Sequence, residues 1–383
     1  MNVVLSYSGG VSRGEFLARS LAADGDLLCF HQPTISSFTK QALPKRLWKE
    51  SSATCSAHRF INVLNRATKR KPTKRYLANK ITDALVSREL KQEGNLFVGE
   101  SGICLKSIQR AKNFGYTTII DRTNSHILHQ NRIWEEELRK HGVYWKPSSR
   151  RVTDVHLAEY EAADYILVLS SFVRKTFLEN GIKSEKVILL PSGINNHAFK
   201  PCEVTKNPRQ VIFCGGISLK KGAHHLLEAA INVQSRGVEV VLLGSTSAEM
   251  CSILNNKSKN VKIMPFVKRD ELPRIYSGAA CFVLPSLEEG LPKVTLEAMA
   301  CGLPVITTAN AAGEDLVEDG GTGFIIPKGN IGLLSEKILW IADHPTEAHA
   351  MGKRGLAKVE QNFTEKKYYE RFKDFLQKIR KKA

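Results

Sequence analysis

Strand-like and helix-like stretches alternate along most of this sequence, and this alternation is the feature that most limits its fold. In the second half, short apolar runs such as "QVIFC", "VEVVLLG" and "ACFVLP" end near Gly or Pro, and amphipathic stretches such as "GAHHLLEAAINVQSRG" lie between them. The first half repeats the rhythm with "VVLSY", "LFVG", "TTIID" and "YILVLS". Apolar strands that alternate with helices indicate βαβ units, so both halves are predicted to be doubly wound α/β domains with parallel sheets.

The length of the chain and one polar segment predict its domain organisation. Its 383 residues are enough for two domains of ordinary size. The stretch "PSGINNHAFKPCEVTKNPRQ" is polar and contains Pro, which is typical of a linker. We therefore expect a first domain at residues 1–190, a linker at 191–208, a second domain at 209–363 and an amphipathic, basic C-terminal helix at 364–383.

The final helix carries a stripe of aromatic and aliphatic side chains from Tyr368 to Ile379, with Lys and Arg on its other face. Such a stripe is typical of a helix that docks against a domain, which is the interpretation we favour. The alternative is a helix that lies in a membrane interface.

Composition favours a cytoplasmic protein. The hydrophobic content is 42%, and no apolar run approaches the ~18 residues that a membrane span needs. The N-terminal "MNVVLSYSGG" enters a strand-like run directly and lacks the basic start of a signal peptide. The eight cysteines show no CxxC pair and no metal-ligand spacing, so we expect reduced thiols.

Positive charge is concentrated in the first half and the tail. Residues 1–200 carry 31 Lys and Arg against 18 Asp and Glu, residues 201–360 carry 17 of each, and the last 23 residues carry 8 against 3. The stretch 66–80 holds seven basic residues and no acid. Segregated charge indicates an anionic partner, and we expect peripheral contact with the anionic inner face of a membrane rather than nucleic acid. A solvated basic loop is the alternative.

The stretch "CFVLPSLEEGLPKVTLEAMACGLPVITT" places two carboxylates around one helix start. Its pattern predicts a strand at 280–284, a loop that carries Glu289, and a helix from Lys293 to Gly302 that carries Glu297. Ligands bind beyond the C-terminal ends of parallel strands, and a helix start there accepts a phosphate. A carboxylate beside it can grip a sugar diol. The segment therefore fits a nucleoside-diphosphate sugar, although first-turn glutamates are also common for helix-dipole reasons.

This stretch resembles the E-x7-E signature of family-4 (group 1) retaining glycosyltransferases, with Glu289 and Glu297 at its two glutamate positions. Four further stretches resemble family segments in the right order: "IIDRTNSHILHQNRIWEEEL", "LLPSGINNHAFKP", "FCGGISLKKGAHHLLEAA" and "GGTGFIIP". The resemblance covers residues 100 to 383 well, whereas residues 1–95 match only in "SYSGGVSRG".

The resemblance implies a GT-B fold, in which two Rossmann-like domains face a central cleft and the last helix crosses back to the first domain. The first domain would bind the acceptor and the second the donor. The implied reaction moves a hexose from a UDP or GDP sugar to a glycan or lipid-linked acceptor with retention of configuration. Such enzymes serve cell-surface polysaccharide or lipopolysaccharide synthesis.

The resemblance also assigns roles to individual residues. Glu289 would contact hydroxyls of the donor sugar, and Glu297 would hold the ribose. Lys221 would neutralise the diphosphate as charge develops on the leaving group. His126 matches a first-domain histidine that lies near the donor sugar and the acceptor, with His129 as the alternative.

Further residues are expected around the donor. The family often has Arg where this chain has Gly216, so Lys220 is expected to supply the missing charge, although Arg and Lys are not equivalent at phosphates. Gly9 and Gly10 follow the first strand and are predicted to let the backbone approach a phosphate or the acceptor. The other predicted donor-binding residues are Gly215, Gly216, Gly290, Leu291, Lys293 and Val294.

We expect no cofactor and no metal. The resemblance implies that a helix dipole and basic residues replace a divalent ion, and no compact DxD lies near the matched motifs. A non-catalytic or dinucleotide-binding doubly wound protein is the alternative. It is disfavoured because "YSGGVSRG" does not have the G-x-G-x-x-G spacing.

Overall fold

The structure is a computed structural model, and it describes residues 1–8, 12–32, 35–49, 72–143, 148–255, 257–265 and 267–381. For residues 12 and 72–75 it describes the backbone only. The predictions at Gly9 and Gly10, and the part of the basic stretch at 66–71, lie outside the described residues.

Strands and helices alternate through the described chain. The strands are β1 (Val3–Ser6), β2 (Leu27–His31), β3 (Trp48–Lys49), β4 (Leu96–Glu100), β5 (Thr117–Arg122), β6 (Tyr165–Val168), β7 (Val187–Leu189), β8 (Gln210–Cys214), β9 (Glu239–Leu243), β10 (Val261–Met264), β11 (Cys281–Leu284), β12 (Val305–Thr308) and β13 (Gly323–Ile326). The helices are α1 (Ser12–Ala23), α2 (Ser37–Ala42), α3 (Pro72–Glu89), α4 (Leu105–Asn113), α5 (Ile127–Lys140), α6 (Arg150–Ala162), α7 (Ser171–Glu179), α8 (Ala223–Val233), α9 (Cys251–Asn255), α10 (Leu272–Ser277), α11 (Lys293–Ala300), α12 (Gly313–Leu316), α13 (Ile331–Asp343), α14 (Pro345–Asn362) and α15 (Glu365–Arg380).

The strands form two sheets. The first has the order β3-β2-β1-β4-β5-β6-β7 and the second the order β10-β9-β8-β11-β12-β13. Every described strand pair is parallel. Strands β1, β11 and β12 are buried at every position, as expected where helices cover both faces of a parallel sheet. The prediction of two doubly wound parallel sheets is confirmed.

The chain divides into two compact units. Unit 1 comprises Met1–Thr123, Lys146–Val168 and Phe177–Leu189. Unit 2 comprises Asn124–Trp145, Leu169–Thr176 and Leu190–Ala383. Two segments that lie in the sequence range predicted for the first domain thus belong to unit 2. Long-range contacts explain this assignment. Helix α5 and the residues just before it make hydrogen bonds and ion pairs with loops and helices of the second half of the chain, as described below.

Helix α15 buries the predicted aromatic stripe. Its buried residues are Tyr368, Phe372, Phe375, Leu376 and Ile379. The helix begins after Thr364, whose hydroxyl accepts a hydrogen bond from the backbone N–H of Lys367 at 3.2 Å. This is the arrangement of a helix docked on protein. None of the helices in the described part of the chain is both long enough and apolar enough to cross a membrane.

Candidate functional site

The order of the second sheet places two loops of unit 2 side by side. Strands β8 and β11 pair directly, with Cys281 opposite Val211. At this pair the order of the strands along the chain reverses, and ligands of open α/β sheets bind beyond the C-terminal strand ends at such a point. The loop at 215–222 follows β8 and the loop at 285–292 follows β11. They hold most of the donor-binding residues predicted above.

Gly222 lets these two loops touch. It has φ 67°, and a Cβ built on it would lie 2.0 Å from the carbonyl oxygen of Pro285. Any other residue would strain the backbone and displace the loop after β11. The turn that ends in Gly222 therefore sets the position of the neighbouring Lys221.

Lys221 and Glu289 meet between the two loops. The Nζ of Lys221 forms an ion pair with Oε1 of Glu289, whose residue is 8% exposed. The backbone N–H of Glu289 donates to the carbonyl of Asn310 at 2.9 Å, and the Asn310 side chain donates to the carbonyl of Leu287 at 3.0 Å. Thus the structure brings together two of the predicted catalytic residues, one from each loop, and Asn310 holds the loop that carries Glu289.

Glu297 lies in the middle of α11 and is almost fully buried, at 2% exposure. It pairs with the guanidinium of Arg269, a residue that the sequence analysis did not single out. Burial raises the pKa of Glu297 above its ordinary value, and Arg269 and Lys293 oppose that rise. Each of the two signature glutamates therefore has its own basic partner, which offsets the repulsion that a diphosphate between them would meet.

The start of α11 can take an anion. Its N-cap is Pro292, which makes no side-chain capping hydrogen bond, so no side-chain oxygen of the cap competes for the first N–H groups of the helix. The predicted residues Lys293 and Val294 form its first turn, and Gly290 and Leu291 are buried in the loop before it. The N–H groups that a helix start leaves without an intrahelical partner, together with the helix dipole, favour phosphate at this end.

Glu288 is a functional candidate that the sequence analysis missed. Its carboxylate is fully buried and accepts from the N–H of Ser125 at 2.8 Å and from Nε2 of Gln130 at 3.1 Å, while Nζ of Lys220 lies 3.8 Å away. Burial acts to raise the pKa of Glu288, but Lys220, Ser125 and Gln130 outweigh it and hold that pKa below its ordinary value. Glu288 therefore connects α5 to the loop at 285–292, here called the donor loop, through a buried, ionised carboxylate.

Lys220 lies in a different setting from Lys221. Besides its approach to Glu288, its Nζ lies 4.2 Å from the ring centroid of Trp134 on α5. A cation over an indole face gains about 0.5–2 kcal/mol, depending on exposure. The charge of Lys220 is thus directed to Glu288 and Trp134.

His126 caps helix α5. Its Nδ1 accepts from the N–H of Leu128 at 3.4 Å, and its own N–H donates to the hydroxyl of Thr176 at 3.0 Å. The residue is 2% exposed. The preceding residue, Ser125, donates its N–H to Glu288, which is the neighbour of Glu289 in the loop after β11. His126 therefore follows directly after the residue that contacts this loop. His129 lies one turn further on, edge-on to the ring of Phe172 at 5.7 Å.

The predicted glycines after β8 differ in what surrounds them. Gly215 has φ 135°, a conformation that favours glycine, and a Cβ on neighbouring Gly244 would lie 1.9 Å from its carbonyl oxygen. A Cβ on Gly216 would meet no atom of the described residues within 4 Å. The absence of a side chain at Gly216, where the family often has Arg, leaves open space beside the loop that carries Lys220 and Lys221.

Unit 1 has a buried charged cluster of its own, which sequence patterns did not indicate. The guanidinium of Arg13 binds the carboxylate of Asp121 through two hydrogen bonds of 2.9 and 2.8 Å, and the hydroxyl of Tyr7 donates to Asp121 at 2.8 Å. Near the end of β4, Glu100 accepts from the N–H of Ser8 at 2.7 Å. These side chains gather beyond the C-terminal ends of β1, β4 and β5, where a parallel sheet offers a ligand site.

Solved structures with the same fold identify the class. A sucrose-phosphate synthase from Thermosynechococcus elongatus has a TM-score of 0.71 at 17% sequence identity, and the similarity covers 100% of both chains. The HepE protein of Anabaena in complex with UDP has a TM-score of 0.71 at 15% identity, covering 99% of this chain and 100% of that one. Together with the two doubly wound sheets, these similarities show that the protein has the GT-B fold of glycosyltransferases, as predicted.

Sequence comparison gives similarities to glycosyltransferases. Residues 196–358, less than half of the chain, match the family model "Glycosyl transferases group 1". A putative colanic acid biosynthesis glycosyltransferase, WcaL, of Escherichia coli K12 is 26% identical over 57% of this chain and 58% of its own length. The capsular polysaccharide biosynthesis glycosyltransferase CapM of Staphylococcus aureus is 26% identical over 54% of this chain and 60% of its own. The chain thus spans only about three fifths of the curated relatives that it matches.

Proposed function

We propose that the protein is a glycosyltransferase that moves a hexose from a nucleoside-diphosphate sugar, with UDP or GDP as leaving group, to a glycan or lipid-linked acceptor. The observation that carries this proposal is the pair of ion pairs at the β8–β11 switch point. Lys221 holds Glu289 on one side of the α11 N-terminus, and Arg269 holds Glu297 within that helix. They lie in the segment that matches the group 1 family model.

The geometry suggests how the donor would bind. The diphosphate would take the N–H groups at the start of α11 and would draw the ammonium of Lys221 towards itself. Glu289 would then accept hydroxyl groups of the hexose, and Glu297 would accept the ribose diol, both by charge-assisted hydrogen bonds. The structural neighbour HepE, which was solved in complex with UDP, supports a uridine nucleotide as the donor to test first.

The proposed chemistry uses fixed positive charge in place of a metal ion at the diphosphate. Negative charge builds on the leaving diphosphate as the glycosidic bond breaks. Lys221 and the α11 N-terminus would stabilise it once the donor is bound, so little further reorganisation would be needed in the transition state. Retention of configuration is part of the proposal, as the E-x7-E resemblance implies. We expect added Mg²⁺ or Mn²⁺ to leave kcat unchanged.

The acceptor is proposed to be a glycan or a lipid-linked saccharide of cell-surface polysaccharide synthesis. The names of WcaL and CapM, which refer to colanic acid and capsular polysaccharide, support that class. The excess of Lys and Arg in residues 1–200 supports an anionic acceptor or an anionic membrane surface around it.

The test is turnover of UDP and GDP sugars by Lys221→Ala and Glu289→Ala variants of the full chain. Loss of a transition-state contact predicts a fall in kcat/KM of about 10²-fold or more for each variant. Lys262→Ala is a matched control, because Lys262 also pairs with a glutamate of unit 2, Glu239, but does so on an exposed surface. Turnover that is equal in all three variants would contradict the proposal.

A further inference from the structure

A cluster of imidazoles surrounds one carboxylate where α5 meets the start of α8 in unit 2. The Oε1 atom of Glu137 lies 2.8 Å from Nε2 of His224, 3.6 Å from Nε2 of His141 and 3.7 Å from Nε2 of His225. One ligand atom from each of Glu137, His141 and His224 can be chosen so that all three lie within 4.8 Å of one another. Glu137 lies on α5 and His141, four positions later, is the C-cap residue of that helix, so both lie on the same side of its end.

The hydrogen bonds of the described residues do not satisfy this cluster. The other oxygen of Glu137, Oε2, accepts from Nζ of Lys140 at 2.9 Å, which leaves Oε1 facing the imidazoles. Among the described residues, Oε1 makes a hydrogen bond only to His224, since 3.6 and 3.7 Å exceed hydrogen-bond length. The Nδ1 atoms of His224 and His225 are buried and have no hydrogen-bond partner in the part of the chain that the structure describes. Buried polar atoms in this state are costly.

The spacing of the ligand atoms fits a tetrahedral metal ion. Zn²⁺ binds His nitrogen and carboxylate oxygen at about 2.0–2.2 Å, so neighbouring donors in a tetrahedron lie about 3.4 Å apart. The distances from Glu137 Oε1 to the Nε2 atoms of His141 and His225 are close to that value. The distance from Glu137 Oε1 to Nε2 of His224 is shorter than this value by about 0.6 Å. Rotation of the two side chains, without movement of the backbone, is enough to lengthen it by that amount.

We propose that Glu137, His141 and His224 bind a divalent transition-metal ion of the Zn²⁺ class, with a water molecule in the fourth position. Nitrogen and carboxylate ligands without thiolate suit Zn²⁺ and its first-row neighbours more than Mg²⁺ or Ca²⁺. None of these ligands is among the residues proposed to contact the donor. The sequence analysis looked for metal ligands only in the cysteine spacing and in a DxD pattern, whereas these ligands are histidines and a glutamate from two segments that are far apart in the sequence.

The ion would act on the position of the donor loop. Helix α8 begins directly after Lys220, Lys221 and Gly222, and α5 carries Gln130 and Trp134, which contact Glu288 and Lys220. A metal that joins the end of α5 to the start of α8 would therefore fix the two supports of the Lys221 loop relative to each other.

The test is Co²⁺ binding by the full chain after treatment with a chelator, followed by visible absorption. Tetrahedral Co²⁺ gives strong ligand-field bands, and Zn²⁺ should abolish them by competition. His141→Ala is the preferred variant, because His141 is exposed and its loss does not disturb the core. His349→Ala, which removes another exposed histidine of unit 2, is the control.

The expected result is one equivalent of Co²⁺ per wild-type chain, displaced by Zn²⁺. His141→Ala should weaken binding about 10–100-fold, and His349→Ala should leave it unchanged. Glu137→Gln, which keeps the shape of the side chain, should also weaken binding. The proposal is overturned if wild-type protein shows no tetrahedral bands, or if His141→Ala and His349→Ala bind Co²⁺ equally well.

Discussion

The buried carboxylate of Glu288 gives the sharpest prediction about how the donor loop is held. Glu288→Ala removes the acceptor from the N–H of Ser125 and from the amide of Gln130. Leaving a buried donor unsatisfied costs about 1–3 kcal/mol, so the two together cost about 2–6 kcal/mol. Lys220 is 28% exposed, so water screens the loss of its ion pair. We expect that loss to add less than about 1 kcal/mol.

Glu288→Gln separates the hydrogen bonds from the charge. The amide oxygen can still accept from Ser125, and the side-chain amide of Gln130 can rotate to accept from the new NH₂ group. This variant should therefore lose less than about 1 kcal/mol, since it removes only the charge that faces Lys220.

Thermal unfolding of the full chain, followed by circular dichroism, measures the difference between these variants. In a unit of this size, 1 kcal/mol shifts Tm by about 2–4 °C. Glu288→Ala should thus lower Tm by about 8–16 °C for a mid-range loss of about 4 kcal/mol, and Glu288→Gln by less than about 4 °C. If the two substitutions shift Tm equally, or if Glu288→Ala shifts it by less than Glu288→Gln, the role of Glu288 as a hydrogen-bonded anchor is refuted.

Three further predictions follow from the site and the charge pattern. Burial raises the pKa of Glu297, and in the proposed complex its ionised form accepts the ribose hydroxyls, so the Kd for UDP should rise as the pH falls through that raised pKa. Glu297→Gln should flatten this pH profile. A flat wild-type profile in calorimetry would contradict the prediction. Gly222→Ala should lower the free energy of unfolding by roughly 3 kcal/mol or more. Gly237 has nearly the same φ, but only a distant side-chain atom of Arg209 lies near it, so Gly237→Ala should cost roughly 1–2 kcal/mol. Equal losses in denaturant unfolding would be incompatible with the Pro285 contact. The chain should float with vesicles that contain anionic lipid and not with neutral ones, and equal recovery from both would rule out the electrostatic attraction to membranes.

The local pattern around the E-x7-E stretch predicted its structure well. The strand expected at 280–284 is Cys281–Leu284, and the helix expected from Lys293 begins there. The stop glycine, Gly302, has φ 77° just after the C-cap. These features depend on apolar runs, Pro and Gly. Such signals affect the structure of only a few neighbouring residues, so they can be predicted from the sequence.

Long-range pairing could not be predicted in the same way. Arg269 lies 28 residues before its partner Glu297, and Ser125 lies 163 residues before Glu288. No sequence motif has a fixed spacing that would reveal either pair. Each pair forms because the order of the β-strands brings loops that are distant in the sequence close together. The inclusion of α5 in unit 2, and the histidine cluster at its end, were missed for the same reason.

The central claim is that the α11 N-terminus takes a diphosphate while Glu289 and Glu297 hold the sugars on either side of it. A crystal structure of the full chain with a non-hydrolysable UDP sugar tests this most directly. The account predicts diphosphate oxygens on the N–H groups of the first turn of α11 and on Lys221, the ribose diol on Glu297 and hexose hydroxyls on Glu289. A nucleotide bound elsewhere, or one that leaves Glu289 paired with Lys221 and Glu297 paired with Arg269 as in the ligand-free protein, would contradict it.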